Sequence, residues 1–276
     1  MSSYPFIFSL FIFSFFTDFP VSLGEDYVNY TICSQQFNCG GIINVSYPFW
    51  GDNRPRFCGH PAFELKCNDD LIEIDIDSKK YRVLDITDGP HTLQIAPLDL
   101  WGNDCSSPPE NISLRSNQFN YSLPQNQNLT LAYGCSAVLD PGDAYQLYCP
   151  GNNIVGGSYF SVTPTPVFST CRGIAEVPIL ELYVQDLLST SLTVEEVLKR
   201  GFLARYDGNA SFCDRCENSG GQCGYNFTTI RPTCLCYDGE YPQICPIPRP
   251  AVVVTTPRNH TGNMPGRLKL KNKNSE

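Results

Sequence analysis

The sequence predicts a mostly β, small disulfide-rich protein made of two cysteine-rich modules with a short helix between them. Three observations predict it. Fourteen cysteines occur in 276 residues and divide evenly about a gap: Cys33, Cys39, Cys58, Cys67, Cys105, Cys135, Cys149 and Cys171 precede it, and Cys213, Cys216, Cys223, Cys234, Cys236 and Cys245 follow it. Strand-like alternation is frequent along the chain, whereas helical periodicity is scarce. The first 24 residues read as an export signal, and export carries thiols into a compartment that oxidises them.

The elements follow in order. From Pro5 to Phe16 the chain is uncharged and almost wholly apolar, the h-region of a secretory signal. Ser22 and Gly24 supply the small residues before a cut near Glu25, and the apolar run is too short to cross ~30 Å of hydrocarbon. Residues 29–101 form the first cysteine-rich module. Within it, LIEIDIDSKKYRVLDI runs from Leu71 to Ile86: Ile72, Ile74 and Ile76 share one face while Glu73, Asp75 and Asp77 share the other. Ser78-Lys79-Lys80 reads as the turn of a hairpin whose second strand starts at Tyr81. His91–Ala96 and Asn128–Tyr133 are further strands. Residues 102–245 form the second module. Its one clear helix opens on the capping box Thr193-Val-Glu-Glu196 and stops at Gly201, after Lys199 and Arg200, giving two turns. Residues 246–276 begin with prolines, end with Lys and Arg, and carry no apolar run able to span a bilayer or signal a lipid anchor; a disordered basic tail is expected.

Eight Asn-x-Ser/Thr sequons, at Asn29, Asn44, Asn111, Asn120, Asn128, Asn209, Asn226 and Asn259, exceed the roughly three that chance would place in such a composition. They agree with an extracellular, N-glycosylated chain. That compartment decides how to read CENSGGQCGYNFTTIRPTCLCYDG, Cys216 to Gly239. Cys213-x2-Cys216 and Cys234-x-Cys236 imitate a four-thiolate zinc site, but a one-residue gap suits a tetrahedron poorly and the exterior favours oxidation. All fourteen cysteines are therefore expected in disulfides, with no metal and no cofactor. Spacing does not say which sulfur joins which.

The residues then carry a resemblance. Cys33-x5-Cys39-Gly40-Gly41, Tyr47-Pro48-Phe49, Cys58-Gly59-His60-Pro61-x-Phe63-x-Leu65-x-Cys67 and Tyr81-x-Val83-x-x-Ile86 resemble the galacturonan-binding domain of plant wall-associated receptor kinases. Gly201-Phe202, Cys213-x2-Cys216-x2-Ser219-Gly220-Gly221-x-Cys223-Gly224 and Cys234-x-Cys236-x-Asp238-Gly239 are similar to the C-terminal wall-associated-kinase domain, with Tyr206 where relatives often have tryptophan. In this order the pair resembles the ectodomain of leaf-rust-resistance-type receptor-like kinases. Such proteins usually continue into a membrane helix and a kinase, and this sequence has no glycine-rich nucleotide loop, HRD or DFG. A receptor-ectodomain-like chain without kinase activity is expected.

The resemblance implies a pectin-like polygalacturonate ligand at the cell wall. Such a site needs flat rings for sugar faces and cations for uronate carboxylates. Tyr47, Trp50, Arg54, Arg56 and His60 offer both within fourteen residues, and are the carbohydrate-binding candidates. Their competing reading is core packing for the rings and solvation for the arginines. Lys79, Lys80 and Arg82 are a second basic group, better read as a turn. Asp69, Asp70, Asp75 and Asp77 offer a Ca²⁺ bridge, better read as a solvated strand face. The net charge of −9 opposes a polyanion at long range, although salt screens beyond ~8–10 Å. Catalysis is not expected: Asp75 and Asp77 lack a cleft, only His60, His91 and His260 serve as bases, and no nucleophile elbow occurs. Nucleic acid is not an expected partner. The alternative function is a soluble decoy or co-receptor that binds a peptide or another ectodomain, through the glycine-rich loop Ser219–Gly224.

Overall fold

The computed structural model describes residues 25–101, 111–112, 114, 117–136, 144–148, 156–163 and 166–246. The expected signal segment, nearly all of the tail, Cys105, Cys149 and Asn259 lie outside them. The chain opens with α1 (Glu25–Cys33) and the short hairpin β1 (Phe37–Cys39) and β2 (Ile42–Val45). A run of strands follows: β3 (Leu65–Asn68), β4 (Leu71–Ile76), β5 (Lys79–Thr87) and β6 (Thr92–Pro97). Then come β7 (Phe119–Asn120), β8 (Asn126–Cys135), β9 (Tyr145–Gln146), β10 (Gly157–Ser161) and β11 (Gly173–Leu180). The last part holds α2 (Val184–Leu188), α3 (Val194–Arg200), β12 (Phe202–Tyr206) and α4 (Ala210–Asn218). It ends in the meander β13 (Gln222–Asn226), β14 (Arg231–Cys236) and β15 (Gly239–Tyr241).

The hairpin read from alternation is present. Ile72, Ile74 and Ile76 are buried, and β4 and β5 pair antiparallel with Ile74 opposite Tyr81. The turn sits one residue earlier than expected, at Asp77 and Ser78. Both have positive φ (53° and 66°), the pattern of a two-residue turn matched to strand twist. Lys79 and Lys80 therefore begin β5 rather than form the turn. The capping box is also present: Thr193 accepts from the Glu196 backbone N–H while the Glu196 carboxylate accepts from the Thr193 backbone N–H. Gly201 ends α3 with φ 65°, and a Cβ there would lie 2.1 Å from the Ile95 carbonyl oxygen, so only glycine lets β12 swing onto β6.

That swing decides the architecture. β12 pairs with β6, Phe202 opposite Ile95, and completes a six-stranded sheet in the order β3-β4-β5-β6-β12-β7. A four-stranded sheet, β11-β8-β10-β9, contributes to the same core: Leu93, Ile95 and Phe202 belong to one buried cluster with Leu129, Leu131, Val177 and Ile179. Through Cys245 the described residues form one compact unit. Twelve described cysteines pair as Cys33–Cys58, Cys39–Cys67, Cys135–Cys171, Cys213–Cys223, Cys216–Cys234 and Cys236–Cys245. The fold is mostly β and cysteine-rich, as expected, with more helix at its cysteine-rich end than the sequence suggested.

Candidate recognition site

Arg54 is inside the protein. It is 2% exposed. Its Nε donates to the Phe49 carbonyl at 3.0 Å, one terminal nitrogen donates to the Cys33 carbonyl at 2.6 Å and to Gln35, and the other donates to Cys58 at 3.0 Å. Cys33 is the last residue of α1, whose final carbonyls lack helical partners, so the cation also caps a helix C-terminus. Burial pulls its pKa down to about 10, with Glu217 opposing. No fork remains for a uronate, and Arg54 is corrected from a binding candidate to a structural residue. Tyr47 is likewise buried, packed against Cys213, Cys216 and Cys223.

Arg56, two residues on, points the other way. Pro55 (φ −59°, ψ 154°) ends the Arg54 stretch, and Arg56 starts a single 3₁₀ turn, Arg56–Cys58. Its exposed guanidinium lies 4.6 Å from the centre of the Phe227 ring, which is 38% exposed. Beneath them Tyr225 packs edge-on to Phe227 at 5.2 Å and to His60 at 5.2 Å. His60 is half-buried; its Nδ1 accepts from the Ala62 backbone N–H, and burial pushes its pKa below the ordinary value while Asp207 opposes. Trp50 is half-buried and donates Nε1–H to the His60 carbonyl at 2.9 Å. Of the five candidates, the structure groups Arg56, His60 and Trp50 near one surface. Sequence reasoning missed Phe227 and Tyr225, which come from β13 and the residue after it and have no sequence signal linking them to Arg56.

A second cation–aromatic pair lies on the six-stranded sheet, with Arg82 4.4 Å from the centre of Trp101. Acidic partners flank it: Glu73 sits opposite both Lys66 and Arg82, Asp75 opposite Lys80, and Lys79 bonds Asp99 at 3.0 Å. The four aspartates do not converge. Asp69 and Asp70 turn the chain before β4 and Asp77 turns it after, separated by a strand of about 20 Å. Cys234, Cys236 and Cys245 have sulfurs within 4.8 Å of one another, but each belongs to a disulfide and offers no thiolate. In the glycine-rich loop Gly220 is exposed, with nothing within 4 Å of a Cβ placed there, whereas Gly221 is buried. A Cβ on Gly221 would lie 2.4 Å from the Cys234 sulfur and 2.8 Å from those of Cys216 and Cys245, so the glycine makes room for the sulfur cluster.

With this geometry in hand, the family comparisons are specific. Residues 33–97 match the model described as wall-associated receptor kinase galacturonan-binding, and residues 156–239 match wall-associated receptor kinase C-terminal. Each segment belongs to its wall-associated receptor kinase domain family. Curated relatives agree. The chain is 30% identical over 213 residues to leaf rust 10 disease-resistance locus receptor-like protein kinase-like 1.2 of Arabidopsis thaliana, covering 73% of this chain and 32% of that protein. The kinase-like 2.4 relative from the same plant is 32% identical over 218 residues, covering 78% of this chain and 34% of that protein. The chain thus spans about a third of the length of these relatives. Both matching models are ectodomain models and neither is a kinase. No solved structure matches. Among the described residues no helix is long and apolar enough to cross a membrane.

In this wall-associated-kinase ectodomain, Arg56 belongs to the galacturonan-binding match and Phe227 to the C-terminal match, so their pair bridges the two. Seven sequon asparagines are described; Asn44, Asn111, Asn120, Asn128 and Asn209 are exposed, and Asn29 and Asn226 are half-buried.

Proposed function

We propose that this ectodomain recognises uronate-bearing polysaccharide of the pectin type at the cell wall, without chemistry of its own. The observation that carries the reading is the exposed Arg56 guanidinium stacked on Phe227 at the seam of the two matched segments. A cation lying over a ring keeps its N–H rim free, so a uronate carboxylate can take that rim while the sugar's apolar face rests on the aromatic. The match to a galacturonan-binding model across residues 33–97 supports the same ligand class. The overall charge of −9 sets a long-range penalty, which salt screens beyond ~8–10 Å, leaving contact chemistry to decide. The chain is exported, cut near Glu25, and carries N-glycans at its exposed sequons.

Calorimetry with oligogalacturonides on the secreted protein tests this. Arg56→Ala and Phe227→Ala each weaken binding by about tenfold, the worth of one charge-assisted contact, with thermal stability unchanged. Methyl-esterified oligomers, which lack the charge, bind as weakly to wild type as free acids do to Arg56→Ala. Wild-type affinity of both variants for the free acids rejects the site; no binding to any wall fraction rejects the function. A second reading, contact with another protein, draws on Ile230 (74% exposed), Tyr237 (69%) and Ile244 (51%) at the cysteine-rich end. Co-purification with a receptor that Tyr237→Ser abolishes supports it.

A further inference from the structure

Away from that surface, a cavity of about 200 Å³ opens between the turn Asp88–His91 and α4. Three carboxylates line it: Asp88 from the turn, and Asp214 and Glu217, three residues apart and so on one face of α4. Three rings complete it. Tyr206 and Tyr47 are buried, and the His91 ring stands edge-on to Tyr206 at 5.5 Å. No lysine or arginine is among the lining residues.

We propose that this cavity binds a compact organic cation, an alkylguanidinium or alkylammonium such as a basic side chain carries. Four observations point to it. First, rings lining a cavity with carboxylates attract a cation from both sides, by ring quadrupole and by charge. Second, the Tyr47 hydroxyl, on a residue only 8% exposed, has no hydrogen bond of good geometry, only a weak interaction with the Asn209 side chain. Buried hydroxyls without partners are uncommon, and an incoming N–H supplies one. Third, burial together with Asp214 and Asp88 raises the Glu217 carboxyl above its usual range, so both neighbouring acids act on it. Arg54 faces Glu217 from within the protein, but its donors are committed to carbonyls. Fourth, the size is that of a side chain, roughly seven water volumes at ~30 Å³ each. A bare metal ion fits less well: among the described residues these three acids do not form a group whose ligand atoms all come within 4.8 Å.

The proposal is independent of uronate binding, since a polyanion is repelled here. The test is calorimetry on the full secreted chain with N-acetyl-arginine methylamide, its neutral isostere N-acetyl-citrulline methylamide, putrescine and Ca²⁺. Saturable binding of the arginine probe is expected, about tenfold or more tighter than the citrulline probe. Asp214→Asn and Glu217→Gln each weaken it by about fivefold or more while leaving oligogalacturonide affinity unchanged. Binding of putrescine with the same variant response identifies free amines as the source; a response confined to the arginine probe identifies a polypeptide side chain. If Glu217→Gln perturbs folding through Arg54, Asp214→Asn, on an exposed position, decides alone. Equal binding of the arginine and citrulline probes, affinity indifferent to both variants, or heat from Ca²⁺ alone overturns the proposal.

Discussion

Arg54 and Arg56 show how two like residues, one position apart from being neighbours, take opposite roles. The proline between them sends one inward to cap α1 and gather four carbonyls, and the other outward onto Phe227. Composition cannot distinguish them, because the carbonyls that claim Arg54 come from Cys33, Gln35, Phe49 and Cys58 and are assembled only by the fold. Arg54→Ala leaves those acceptors buried without donors, at about 3 kcal/mol or more, read as a lower urea midpoint. His60 makes a pH prediction. Its imidazole is held below the ordinary value in the fold, so the unfolded chain binds a proton first as pH falls. Stability contributed by neutral His60 is full above about pH 6.5 and declines as pH drops through the lowered folded value. Glu217, raised in the fold, acts with the opposite sign from its own ordinary range upward. Comparing His60→Gln with wild type from pH 5 to 7 isolates the histidine: the variant's stability curve is flatter, and an identical slope refutes the assignment.

Elements separate into those the sequence dictates and those the fold imposes. β4 and β5 were legible because period-2 alternation and left-handed-tolerant turn residues act locally; α3 was legible because its capping box and terminal glycine are local too. α4 was not. The residues it buries are Cys213 and Cys216, and it is pinned by their bonds to Cys223 and Cys234 rather than by an apolar stripe. α1 was missed for a similar reason, since its end is tied by Cys33–Cys58 and capped by Arg54. Gly221 belongs to this level. Gly221→Ala puts a methyl group against three sulfurs, costing about 2 kcal/mol or more through overpacking, and the variant yields mispaired disulfides on non-reducing gels. An unaltered melting temperature contradicts the close approach.

At the scale of the molecule, two modules are expected at residues 29–101 and 102–245, and the two family matches, to residues 33–97 and 156–239, are separate in sequence. In space β12 reaches back to β6, a pairing between residues more than a hundred positions apart that no local pattern announces. A chain ending at residue 101 loses the strand that covers β6 and the Phe202 that packs beside Ile95, both fully buried. It is expected to give collapsed amide dispersion in NMR and to bind dye as an open core does, whereas a well-dispersed spectrum refutes the shared core.

α1 leans on β13, β14 and β15, so the first described segment is seated by the last. A ribosome releases α1 some two hundred residues before its seat exists, and synthesis at about 5–20 residues per second leaves it waiting many seconds. During that interval the early cysteines must be kept from the wrong partners by whatever attends the nascent chain. Pulse-labelled intermediates stalled before β13 should therefore be cut by protease near their own beginning, and become resistant there only when translation is nearly done.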